Sequence, residues 1–175
     1  MDLILIKPSE EFANEIAEYR REFLDSGDSM DGCGSLIQIE NPHDFIKKCR
    51  NYEQKETLPS GRVIATQFLF VRQSDMRILG MIQVRHYFND YLSRFGGHIG
   101  YSVRPTERKK GYAKQMLSGV LPYCRKIGLD KILITCNEDN TASEKTIISC
   151  GGVYESTLYE PNEDVNLKRF WIDIK

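Results

Sequence analysis

The stretch "SVRPTERKKGYAKQML", residues 102–117, crowds Arg108, Lys109, Lys110 and Gly111 into the joint between an extended, proline-broken segment and an amphipathic run. A helix that starts at such a joint leaves its first N–H groups without partners inside the helix, and its dipole favours an anion there. Gly111 removes a side chain where a phosphate would have to approach the backbone closely. The three basic residues add positive charge, and Ala113 keeps the next position small. The chemistry on offer is the holding of a pyrophosphate. The Walker arrangement does not fit, because no G-x-x-x-x-G precedes the lysines and no Ser or Thr follows a Gly-Lys pair. On charge alone, a solvated basic turn is the competing reading.

The elements that must position this joint follow from periodicity and punctuation. Residues 3–7 read as a short strand. Ser9 is expected to cap a helix with Glu10 and Glu11 in its first turn, and Phe12, Ile16, Tyr19 and Phe23 share one helical face. Residues 25–35 are loop by their Gly, Ser and Asp content. A second helix is expected from Asn41-Pro42, with Phe45, Cys49 and Tyr52 inward. Residues 62–72 and 77–88 read as a hairpin. "GGHIGYSVRP" is a further strand ended by Pro105. Ala113, Met116, Leu117, Val120, Leu121 and Cys124 then keep helical spacing up to the stop at Gly128. Pro122 inside that helix predicts a kink or an early end. Residues 131–136 read as a buried strand, 140–150 as a short helix stopped by Gly151-Gly152, and 153–159 with 166–174 as a last hairpin. The fold expected is α/β (α+β): a single domain over residues 1–175 with a mixed central sheet of about seven strands flanked by about four helices.

Composition narrows the function classes. The 41% apolar and 28% charged fractions argue against long disorder, and a net charge of −1 supplies no global field for nucleic acid or a membrane surface. Cys33, Cys49, Cys124, Cys136 and Cys150 form no C-x-x-C pair, and His43, His86 and His98 form no H-E-x-x-H. Reduced thiols in a cytoplasmic protein are therefore expected, with neither a disulfide framework nor a metal centre. "MDLILIKPSEE" is not the pattern of a signal peptide, and the apolar run 63–71 is interrupted by Thr66 and Gln67 and too short to span a bilayer.

Arg108-x-x-Gly111-x-Ala113, preceded by a strand with Val103 and Pro105, resembles the [Arg/Gln]-x-x-Gly-x-[Gly/Ala] signature of the GNAT N-acyltransferase superfamily. The resemblance covers most of the chain, weakest before Arg62 and strongest from Gly97 to Gly152. "LITCNEDNTASEKTIISCGG" is similar to the family's next strand and helix, with Asn140-x-x-Ser143 like the Asn-x-x-Ser variant of ribosomal-protein acetyltransferase relatives. The resemblance implies a GNAT-like fold and transfer of an acetyl group from acetyl-CoA, without a metal, to a primary amine. Backbone groups of Tyr101 and Val103 would pair with the pantetheine arm. Arg108, Lys109, Lys110, Gly111, Tyr112 and Ala113 would hold the pyrophosphate, and Asn140 and Ser143 would lie beside the thiol end. One departure stands out. Many relatives carry, four residues before the glycine that ends this helix, a tyrosine able to protonate the leaving thiolate, and that position is Ile147 here. The acid candidates left are Ser143, directly or through water, and Tyr154.

An amine with a pKa near ~10 must lose a proton before it can attack, so a base or a water path is needed. A free N–H around Val103 would stabilise the oxyanion, and juxtaposing the two substrates needs no covalent enzyme intermediate. His98 ranks first as base, since it opens the central strand at about the depth where relatives place a carboxylate and its imidazole suits neutral pH. His86, at the end of the neighbouring strand, ranks second. Glu107 reads as a solvated loop acid. Asp25, Asp28, Asp31 and Glu40, in and after the loop between the first two helices, suggest a cationic acceptor, either a small molecule or a peptide amine. The final "NLKRFWIDIK" offers an edge to a second subunit, as in a homodimer. Two other readings compete: a non-catalytic acyl-CoA-binding or sensing module, and a nucleotide- or RNA-binding protein using "ERKK". The net charge and the lack of an aromatic-basic stripe stand against the second.

Overall fold

The nearly unbroken burial of "ATQFLFVR" has a simple cause: β2 (Ala65–Arg72) is covered on both faces. Alternate residues go to opposite sides, as strand geometry requires. Phe68 and Phe70 join one apolar cluster, with Met116, Leu117 and Val120 of α3 (Tyr112–Lys126). Leu69 and Val71 join another, with Ile16, Tyr19 and Phe23 of α1 (Ala13–Ser26) and Phe45 and Ile46 of α2 (Pro42–Tyr52). In the computed structural model, which describes residues 2–175, a seven-stranded sheet separates these clusters in the order β1-β2-β3-β4-β5-β7-β6. The other strands are β1 (Leu3–Ile6), β3 (Arg77–Arg85), β4 (Ile99–Val103), β5 (Lys131–Asn137), β6 (Val153–Glu160) and β7 (Val165–Asp173); the fourth helix, α4, is Thr141–Ser149. All strand pairs are antiparallel except β4 with β5, so the sheet is mixed as expected. Among the described residues, no helix is long and apolar enough to cross a membrane.

Three local expectations are revised and one unforeseen element is added. Ser9 does not cap α1: its hydroxyl bonds Glu11 Oε1 at 3.0 Å, and a 3-10 turn at Glu10–Phe12 precedes the helix. Pro122 does not end α3, which runs on to Lys126. A π-helical turn, Leu92–Gly96, fills the link from β3 to β4. The segment 166–175 is not an edge, because β7 lies between β5 and β6; the edge strands are β1 and β6, and β6 carries the exposed Val153, Tyr154 and Tyr159.

Arg104, just past β4, is 2% exposed and draws α1 onto the sheet. Its Nε donates to Glu22 at 2.6 Å, and its Nη1 to Glu15 at 2.9 Å and to the Ile78 carbonyl at 3.1 Å. Breaking a buried pair of this kind costs about 3–5 kcal/mol, because the remaining charge is left without a partner.

Candidate active site

β4 and β5 pair at one position only, Ile99 opposite Ile134, and then part. The rung before the parting uses a side chain. His98 N donates to the Leu133 carbonyl at 2.8 Å, and Leu133 N donates back to His98 Nδ1 at 3.0 Å. On the other edge of β4, Arg85 N donates to the His98 carbonyl and Arg104 N donates to the Leu79 carbonyl. Even-numbered residues therefore bond β3, and Tyr101 and Val103 turn their backbone groups toward the gap. The result is a cleft of about 830 Å³ running from Gly100–Val103 past residues 108–114 to Asn140 and Ser143.

At the end of this cleft lies the basic joint. Lys109 (φ 61) and Gly111 (φ 78) are both left-handed, which turns the chain sharply into α3. Among the described residues, the amides of Lys109, Lys110, Gly111, Ala113 and Lys114 donate to no backbone carbonyl; the first helical bond there comes from Gln115 N to the Gly111 carbonyl. This run of unspent donors at a helix start suits an anion. The charges are mostly committed. Arg108 holds Asp28 at 2.7 Å and the Val103 carbonyl at 3.2 Å, and its guanidinium lies 5.7 Å from the centre of the Phe23 ring. Lys110 does not line the cleft and pairs instead with Glu107 at 2.7 Å. Glu107 is not a solvated acid: it is buried and also meets Arg77 at 3.2 Å and Arg72 at 3.4 Å. Burial would raise its pKa, but Lys110 and Arg72 outweigh that and hold it below the usual carboxylate range. The joint is thus anchored from beneath by Arg104 and Glu107, leaving Lys109 and the amides facing the cleft. Tyr112 is buried and packs on Phe70, and both it and Ala113 line the cleft.

Where the strands diverge, Tyr101 OH and Ser143 Oγ are 2.8 Å apart. Asn140 caps α4, its Oδ1 accepting from Ser143 N at 3.0 Å, which fixes the serine at the first turn. Ile147 is fully buried in the core. Burial and nearby thiols push Tyr101 up to about 12 although Ser143 opposes the shift, so its hydroxyl keeps its proton at neutral pH. Cys136 lines the same cleft, but burial pushes it up to about 11.

The histidines are elsewhere. His98 is 5% exposed, stacks on Phe88 with ring centres 3.9 Å apart, and lines neither cleft. Burial and the Arg85 charge lower its pKa to about 4. His86 Nε2 meets Thr66 Oγ1 at 2.9 Å, on the α3 side of the sheet with Tyr123. Tyr154 is exposed and bonds Thr157. Asp28 and Asp31 line the first cleft.

A second cavity, of about 410 Å³, lies between α2, β2, β3 and the segment after β3. The two share Arg85, Tyr91 and Leu92 in their walls, so they meet beside the splayed strands. Lys48, Arg62, Gln67 and Gln83 line it, and sequence reasoning singled out none of them for function. A signal existed: Gln67 is a polar residue inside a strand, β2, that is otherwise largely apolar and buried along nearly its whole length. It is 3% exposed, and its Nε2 donates to the Gly32 carbonyl at 2.8 Å.

Comparison with known proteins agrees with this fold. The family model described as an acetyltransferase (GNAT) domain matches residues 3–153. A search of curated proteins gave no match. Among solved structures, the microcin C7 self-immunity acetyltransferase MccE, in complex with acetyl-CoA and AMP, superposes with a TM-score of 0.71 at 18% identity, over 98% of this chain and 92% of that one. The ribosomal-protein-S5-alanine acetyltransferase from Vibrio fischeri gives 0.70 at 19% identity, over 99% and 92%. A spermidine N-acetyltransferase SpeG chimera from Vibrio cholerae and hSSAT gives 0.66 at 16%, over 99% and 96%. At these identities the likeness is one of fold.

Proposed function

The chain belongs to the GNAT acetyltransferase family, and from that premise we propose that it moves an acetyl group from acetyl-CoA to a primary amine by direct transfer between two bound substrates. The observation that carries this is the gap between β4 and β5, which opens beside the helix-start amides of Lys109, Lys110, Gly111, Ala113 and Lys114, for which no backbone partner is found among the described residues. The amides from Lys109 to Lys114, with Arg108 and Lys109, would hold the pyrophosphate, and the inward-turned backbone groups of Tyr101 and Val103 would hold the pantetheine arm. The Val103 carbonyl already accepts from Arg108, so its N–H is the group left for the thioester oxygen. Acetyl-CoA, when bound, supplies the activated acetyl thioester.

The residues around the gap divide the remaining work. Neither cysteine lining the two cavities is an available nucleophile, since burial pushes Cys136 up to about 11 and Cys49 up to about 12. That favours direct attack by the amine. As the N–C bond forms and the C–S bond breaks, the proton shed by the amine must reach the sulfur. In this reading the Tyr101–Ser143 pair, 2.8 Å apart, passes it on, with Tyr101 as the donor that Ile147 cannot be. For the first deprotonation, a water path at the mouth shared by Tyr91 fits better than either histidine, since His98 and His86 are both held by bonds away from the clefts.

Acetyl-CoA at 100 times its dissociation constant should stabilise the fold by about 2.7 kcal/mol, a Tm rise of roughly 5–11 °C for a domain this size. Arg108→Glu should abolish the rise. Release of CoA thiol in the presence of an amine panel then separates a transferase from an acyl-CoA sensor, which would show the Tm rise and no release. Equal stabilisation by ATP and acetyl-CoA would defeat the reading altogether.

A further inference from the structure

The cavity beside α2 carries three cations and no acid. Lys48, Arg62 and Arg85 all line it, whereas Asp and Glu are missing from its walls. None of the three forms an ion pair among the described residues. Lys48 and Arg85 are half-buried and Arg62 is exposed at the rim, whereas Arg104 and Arg169, the buried arginines, each hold a carboxylate. Arg85 is partly enclosed yet has only carbonyl partners, its Nη1 donating to Gly96 O at 2.9 Å and to Gly97 O at 3.2 Å. Burial lowers its pKa, as expected for a guanidinium removed from water, although Tyr91 and Asp31 oppose the shift. Lys48 is steered by a bond to Ser35 Oγ at 2.5 Å and by the Tyr52 ring at 5.8 Å. Glu53, just past the end of α2, is taken by Lys7 at 2.8 Å and leaves this charge uncancelled.

Partly enclosed cations without counter-ions, as Lys48 and Arg85 are, are costly unless a ligand supplies the opposite charge, and a guanidinium such as that of Arg62, exposed at the rim, matches carboxylate or phosphate with paired donors. The amides of Gln67 and Gln83 add neutral polar groups on the strand floor. Resting on the transferase reading above, we propose that the acceptor is a small amine that also bears an anionic group, carboxylate or phosphate. The anion sits among Lys48, Arg62 and Arg85, and the amine points toward the mouth at Tyr91 and Leu92, where the two cavities meet. This reverses the expectation of a cationic acceptor. Of the acids that prompted it, Asp28 and Asp31 line the other cleft, where Asp28 holds Arg108.

The test offers primary amines in matched pairs, amino acids against their amides and aminoalkyl phosphates against the parent amino alcohols, with spermidine as a polycation, and reads CoA thiol release. A preference of tenfold or more in kcat/KM for the charged member is expected. Carboxylates and phosphates are ranked separately, which identifies the anion. Arg62→Gln and Lys48→Gln should each reduce that preference through KM for the acceptor, with acetyl-CoA affinity unchanged. If neutral members or spermidine react as well or better, the inference falls and the transferase reading stands. If no amine reacts, that reading fails, and calorimetry on the CoA-saturated protein decides the cavity. N-acetyl amino acids binding at least tenfold tighter than their amides, with the difference lost in Arg62→Gln, supports the anion site; equal binding overturns it.

Discussion

Gly32 and Gly27 make a matched pair for testing how the loop after α1 seats on the sheet. Their backbone angles are nearly equal, φ 68 and φ 69, but their surroundings differ. A Cβ on Gly32 would lie 2.1 Å from the Gly100 carbonyl oxygen of β4, whereas one on Gly27 would meet nothing within 4 Å. The left-handed backbone alone costs an alanine roughly 1–2 kcal/mol at either position. At Gly32 the clash is with backbone, which cannot rotate away, and overpacking adds about 1–3 kcal/mol. Gly27→Ala should therefore lose roughly 1–2 kcal/mol and Gly32→Ala roughly 2–5 kcal/mol. For a domain of 175 residues these become drops in Tm of about 2–8 °C and about 4–20 °C. Thermal unfolding followed by circular dichroism at one protein concentration measures both. Equal losses in the two variants would refute the close crossing of this loop over β4, and with it the placement of Asp28 and Asp31 along the cleft.

Tyr101→Phe removes one hydroxyl of the proposed proton path and should lower kcat by about 10–1,000-fold with little change in acetyl-CoA affinity; an unchanged kcat would transfer the acid role away from Tyr101. His98 provides a pH test. Its folded pKa of about 4 lies below the ordinary 6.5, so the unfolded chain binds the extra proton first. The contribution of neutral His98 is intact above pH 6.5 and is lost as pH falls toward 4. His98→Gln should flatten the stability profile in that window and leave the pH–rate profile near neutrality with the same inflection. Loss of that inflection would restore His98 as the base.

The fold was largely legible because its signals are local. Phe12, Ile16, Tyr19 and Phe23 keep one face in sequence and in space, and Gly111 marked the turn into α3 by the conformation only glycine adopts freely. The joint was legible for the same reason, since its donors and charges are consecutive. The rest depends on what distant residues do to one another. Glu107 looked solvated because Arg72 and Arg77, which bury its charge, come from the hairpin many residues earlier. His98 lay at a plausible depth for a base, but only the neighbouring strand shows that Leu133 occupies its ring nitrogen. The second cavity draws Lys48 from a helix, Arg62 from a loop and Arg85 from a strand end, a convergence without any spacing in the sequence. The edge of the sheet was misplaced because strand order, unlike strand existence, is a long-range property.

The bond between Arg108 and Asp28 makes cofactor binding, in the mode proposed above, a substitution rather than an addition. A pyrophosphate that takes Arg108 must evict a carboxylate already there, so the protein competes with its own ligand, and part of the binding energy is spent on the eviction. Displacing a tethered anion also frees fewer ions from solution than capturing a new one, which dulls the response to salt. The evicted residue sits just past Gly27, on the loop that crosses Gly100. Arrival of the first substrate is therefore felt in that loop as a lost tether, close to the mouth where the second substrate enters.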